Sequence, residues 1–133
     1  MYELKNMFFL MIVLWFCSQP VQAFSTWLQA ADSLPYLLQM ADSLNRRDLD
    51  KSLEYIELAM PIAQAADDTE ALQKLYALKA GALFDKGLHN ISLKHYQQAL
   101  HLAVQLRDSL AIAAAYTNIG ILHESQLHYD STI

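Results

Sequence analysis

The side chains in this sequence best suited to hold a metal or carry a proton are five histidines: His89, His95, His101, His123 and His128. A helical zinc pair needs two imidazoles on one face, at i and i+4. The nearest spacings here are five, for His123 and His128, and six, for His95 and His101, so no metal site is expected. His89 and His128 are both expected in inter-helix turns. No Gly-x-Ser-x-Gly, phosphate loop, dinucleotide fingerprint or His-Glu-x-x-His occurs, so the reading assigns no catalytic residue and no cofactor, and the chain is not expected to be an enzyme. Asn90-Ile91-Ser92 fits a glycosylation sequon, but Asn90 reads more simply as a helix cap. Glu70 and Lys74, four apart, form an ordinary ion pair on a helix surface.

With chemistry so sparse, the informative question is which elements the chain builds. Its 133 residues are 54% hydrophobic and 17% charged, too apolar for disorder. Only 3 Gly and 3 Pro leave little material for the turns of an all-β fold. A net charge of −5 argues against a surface for nucleic acid. Lys5 precedes an apolar run from Met7 to Cys17. That run is too short to cross a bilayer, which takes about 20 residues, and it fits a secretory leader. Val21 and Ala23 satisfy the small-residue rule for cleavage after Ala23, which would remove Cys17, the single cysteine. The expected organisation is a signal peptide over 1–23, a lead-in over 24–32 and a helical region over 33–133. The expected location is periplasmic or otherwise extracytoplasmic. Contact with a membrane is expected only through an uncleaved leader or a C-terminal anchor outside this sequence.

The helical region repeats. Tyr36, Tyr76 and Tyr116 are spaced by 40, as are Leu53, Leu93 and Ile133. Ser52 and Ser92, Ala59 and Ala99, Asp68 and Asp108, Ala71 and Ala111, and Ala80 and Gly120 share that shift. A fixed period of this size marks a solenoid. Apolar residues at i, i+3 and i+4 give helices over 33–45, 48–66, 68–86, 90–106 and 108–126, with a sixth beginning at the end. Asp48, Asp67, Asn90 and Asp108 are the expected N-caps, and Gly87 the expected left-handed C-cap. Pro61 predicts a kink or an early end of the second helix near Met60.

Tyr116, Ile119 and Gly120, following Ala113-Ala114-Ala115, resemble the tetratricopeptide repeat, and Tyr76, Ala80, Ser92, Tyr96 and Ala99 carry the same pattern. Lys79 departs from the usual Leu of that motif, and Met40 stands where its Gly would be. The resemblance covers residues 33–133 and implies an all-α solenoid of antiparallel hairpins, about two and a half repeats of a long bacterial type. It assigns packing roles to Tyr36, Tyr76, Tyr116, Ala80, Gly120, Ala59 and Ala99. It also implies a concave groove lined by the first helix of each hairpin: Leu37, Leu38, Lys74, Ala77, Leu78, Phe84, Thr117, Asn118, Ile121 and Glu124. Lys74 stands nearly alone, so a carboxylate clamp is not evident, and the groove suits an apolar peptide or helix of a protein partner. The implied function is a non-catalytic, exported binding scaffold. The alternative is the extracytoplasmic sensor portion of a membrane-bound histidine kinase or transcriptional regulator, with this chain as its N-terminal piece.

Overall fold

Helices in this chain begin at Leu49, Thr69, His89 and Ser109, a helix and a turn every twenty residues. A computed structural model describes residue 29 and residues 32–131, which contain five helices and no strand. They are α1 (32–44), α2 (Leu49–Ala65), α3 (Thr69–Asp85), α4 (His89–Leu106) and α5 (Ser109–Ser131). The expected leader, nearly all of the lead-in and the start of a sixth helix lie outside the described residues.

The turns explain the period. Asp67, Gly87 and Arg107 each take a left-handed conformation, with φ of 52°, 79° and 55°. After each of them the next N–H reaches back over the helix end: Asp68 to the Ala63 carbonyl, Leu88 to Leu83 and Asp108 to Ala103. This bond pairs carbonyls that a helix end otherwise leaves open. The residue that closes one helix then caps the next. The Asp68 carboxylate accepts from the Ala71 N–H at 2.9 Å, and Asp108 accepts from Leu110 and Ala111. Asp48 caps α2 in the same way, through Lys51. The expected cap Asp67 is instead the left-handed residue, and Asn90 lies inside α4, whose cap position is Leu88 with no side-chain bond.

Two other expectations are corrected. The early end of α2 that Pro61 predicted does not occur, since the helix runs on to Ala65. Residue 61 and residue 57, whose carbonyl loses its helical partner, are both exposed, so water can replace the lost bond. α5 does not stop at 126 but continues to Ser131, which places His128 in a helix and not in a turn, and His89 is likewise the first residue of α4. The position equivalent to Gly87 is Leu127, and leucine resists the left-handed conformation that a turn there would need.

Within the compact unit Leu34–Ile133, α2 packs on α3, α3 on α4 and α4 on α5. One buried cluster joins Leu34, Ala41, Ile56, Ala59, Ala63, Ala71 and Leu75, and a second joins Ala80, Tyr96 and Leu122. Fully burying a side chain such as Ile56, Leu75 or Leu122 is worth about 1.5–3 kcal/mol. Residues 51–65 and 91–105 show the same order of buried, half-buried and exposed positions throughout. In both helices a fully buried serine ties the pair together. Ser52 donates to the Ala41 carbonyl at 2.8 Å, and Ser92 donates to that of Ala80 at 2.7 Å.

Those two bonds also reveal a slip. Ser52 reaches back 11 residues and Ser92 reaches back 12, so α1 corresponds to α3 at a shift of 39, not 40. Tyr36 therefore does not occupy the place of Tyr76, which belongs to Leu37.

Candidate functional site

The slip decides where the candidate packing residues stand. Ala59, Ala80 and Ala99 are buried at the helix contacts. Tyr76 is half-buried and its ring stacks on His95, with centroids 5.9 Å apart and planes at 19°. Tyr36 and Tyr116 do not pack: they are 57% and 61% exposed. Tyr36 is displaced by the register change. Tyr116 is equivalent to Tyr76, but among the described residues no helix follows α5 to cover it as α4 covers α3. Gly120 permits no close approach either, because a Cβ there would have no atom within 4 Å.

His95 has the most perturbed setting of the described histidines. Its Nδ1 lies 2.8 Å from Gln98 Oε1, beside the Lys79–Glu57 ion pair at 2.5 Å. Burial holds its pKa below the ordinary 6.5; Lys79 adds to the depression, while the Gln98 bond and Glu57 oppose it. Burial, with a smaller push from Asp85, raises the Tyr96 phenol above 10.0. These groups lie at a helix contact. Among the described residues no group of three or more His, Cys, Asp or Glu could hold a metal ion. None of the described helices is long and apolar enough to cross a membrane.

The concave site is a groove of about 570 Å³ between α1 and α3. Leu38, Ala77 and Leu78 supply apolar lining, with Pro35 beside them, and Gln39, Asp42, Gln73 and Lys74 supply the polar atoms. Lys74 is held by Glu70 at 2.7 Å. Of the ten expected groove residues, Leu38, Lys74, Ala77 and Leu78 come together here. The other six do not line it. Leu37 packs against the first buried cluster. Phe84 packs against the second and stacks on His89, with centroids 5.2 Å apart. On α5, the Thr117 hydroxyl donates to its own helix at Ala113. Asn118 is half-buried, and Ile121 and Glu124 are exposed.

Pro35, Gln39, Asp42 and, above all, Gln73 line the groove without being expected there from the sequence. Gln73 is only 8% exposed, a polar residue on a packed face whose counterpart in α1 is the 5% exposed Leu34. A polar residue breaking an apolar stripe was the available signal, but it shows only once the shift of 39 is known. A second depression of about 570 Å³ along α4, lined by Tyr76, Lys94, Gln97, Gln98, His101 and Leu102, was also not foreseen.

No protein-family profile matches the chain, and no curated protein does. Among solved structures, the chain is similar to the TPR domain of Arabidopsis FLU, at a TM-score of 0.57 and 19% identity. The match covers 77% of this chain and 92% of that one. The fold is thus an all-α, tetratricopeptide-like solenoid of helix hairpins.

Proposed function

We propose that this protein is a non-catalytic scaffold that binds a protein or peptide partner in the groove between α1 and α3, outside the cytoplasm. The observation that carries the reading is the groove itself: Leu38, Ala77 and Leu78 line an apolar trough that preformed helices hold open, with a few polar groups beside it. Such a surface binds by shape and burial without reorganising. Selection of displayed peptides against the folded protein tests this. Selected peptides should bind wild type and lose at least tenfold in affinity on Leu78→Asp, with the circular dichroism unchanged. Peptides indifferent to Leu78→Asp and Ala77→Glu would sink it.

Export rests on the leader pattern of residues 1–23. Fusing residues 1–28 to alkaline phosphatase should give active, exported enzyme processed after Ala23, and an unprocessed cytoplasmic product would refute it. A second reading, as the extracytoplasmic sensor portion of a membrane-bound histidine kinase or transcriptional regulator, draws on α5. Tyr116 and Leu127 are exposed there on one face, which could stack a further helix. The coding frame after Ile133 decides it, by whether a membrane span and an output domain follow.

A further inference from the structure

α5 carries a stripe that the described residues leave uncovered. Ser109, Ala113, Tyr116, Gly120, His123 and Leu127 follow one another at alternating spacings of four and three, so they fall on one line of the helix. All six are exposed, and the line turns away from Ala115 and Leu122, which pack inward. None of the six is Lys, Arg, Asp or Glu. The stripe is not a copy of the corresponding α3 surface. At the 40-residue shift His123 stands where α3 buries Leu83, and Leu127 stands where α3 gives way to the turn at Gly87. α5 runs straight through that point to Ser131. A helix entering as α4 does would find neither the turn that leads into it nor that buried leucine.

The order of sizes along the stripe points to its occupant. Set it against a second copy running antiparallel, with the two-fold axis at the level of residue 118. Leu127 then faces Ser109, His123 faces Ala113 and Tyr116 faces Gly120, each pairing occurring twice. Every layer places a large side chain against a small one, which lets two helices approach and interdigitate. A parallel pairing puts Tyr116 on Tyr116 and Gly120 on Gly120, so it bulges at one layer and leaves a void at the next. It also sets Glu124 beside its own copy. The antiparallel pairing holds those two carboxylates about 18 Å apart along the axis, more than twice the screening length of about 8 Å. Gly120 gains a reason as well, since within the chain a Cβ there would meet nothing within 4 Å. We infer that the protein pairs with a second copy of itself through this face of α5, with Tyr116 packed over the partner's Gly120. The stripe is about 27 Å long on a helix about 10 Å across, so the pair covers less than the roughly 1,200 Å² at which stable interfaces begin. The dimer is therefore weak and forms in the micromolar range. It leaves free the α1–α3 groove, whose lining residues lie on other helices, and does not depend on that groove's role.

Sedimentation equilibrium of the full chain, expressed with its own leader, measures the pairing. Wild type should pass from monomer to dimer, and no further, over a range on the order of 1–300 μM. Gly120→Tyr sets ring against ring, and Tyr116→Ala leaves a hole; each should weaken the dimer about tenfold or more. Neither should alter the circular dichroism of the dilute monomer, because position 120 faces open space and Tyr116 is 61% exposed. Combining Tyr116→Ala with Gly120→Tyr restores large against small and should recover the affinity to within about threefold. Cross-linking fixes the direction. In a Cys17→Ser background, a short bis-maleimide should join a mixture of Ala113→Cys and His123→Cys chains and should not join Ala113→Cys to itself. A monomer at every concentration overturns the inference, as does a dimer indifferent to both single substitutions, or linkage of Ala113→Cys alone. If the coding frame runs past Ile133 and the longer chain is monomeric, a helix of its own covers the face and the inference falls.

Discussion

Leu88 sits where Asp48, Asp68 and Asp108 sit, and it alone of the four gives its helix no side-chain cap. It is 45% exposed, so little packing holds it there. Leu88→Asp should stabilise the protein by about 1 kcal/mol, measured as a rise in the urea midpoint at unchanged slope. Glycines give a matched pair of opposite sign. Gly87 has φ of 79°, so Gly87→Ala should cost at least about 1 kcal/mol. Gly120 lies in mid-helix with open space around it, so Gly120→Ala should add about 0.5–1 kcal/mol. If Gly120→Ala is destabilising, the glycine is making a close contact after all. At this scale the sequence was only partly legible. Gly87 showed its role because no other residue type takes that conformation so cheaply. Asp67, one of the few other types that visits it, and Arg107, against its type, take it too, because the back-bonds of the turns around them hold it in place. Gln73 was illegible because its meaning depends on what α1 brings opposite it.

At the scale of elements, the contact of α3 with α4 should respond to acid. His95 is depressed below 6.5 by burial between Tyr76 and the neighbouring Lys79 and Glu57. Above 6.5 the ring is neutral whether the chain is folded or not. As pH falls through 6.5 the unfolded chain takes up the proton first, so stability declines, and the decline ends once the folded ring is protonated as well. The melting temperature should fall between pH 7.5 and 5, and His95→Gln should flatten that fall. A slope untouched by the substitution would show that other groups carry it. Four of the five helices were legible to within about two residues, because polar breaks and apolar spacing agree there. The end of α5 was not. A turn requires a residue willing to adopt positive φ, and the alanine run before Tyr116, followed by Leu127, favours helix throughout.

For the whole molecule, the period makes length adjustable. Residues 49–88 hold one α2–α3 unit, and the chain passes from Leu88 into α4 at a position equivalent to Leu49. A second copy of 49–88 inserted after Leu88 would meet the same α4 on one side, while on the other its α2 would lie on α3 in place of α1, with Ile56 where Tyr96 otherwise stands. The stability of stacked repeats is close to a sum of unit and interface contributions. The lengthened chain should therefore gain helical ellipticity in proportion and melt at a higher temperature in one transition. A separate low-temperature transition would mean the units do not stack alike. The solenoid class was legible from spacing alone, since small and aromatic residues recur. The 39-residue offset of α1 was not, because a single missing residue in the first hairpin alters no residue type.

Likeness between repeats carries a hazard, which one contact answers. α2 and α4 expose and bury the same positions, so burial pattern alone would let either helix sit in the other's place, or in that of a neighbouring chain. They differ at one large buried position, Ile56 in α2 and Tyr96 in α4. The Tyr96 hydroxyl lies 3.6 Å from where a Cβ on Gly81 would be, so a methyl there would sit in ordinary contact with the phenol. The residue corresponding to Gly81 in α1 is Asp42, whose side chain would meet a phenol arriving there. The difference between Ile56 and Tyr96 thus acts as an address: it distinguishes one hairpin from the other in a sequence that could otherwise fold out of step with itself.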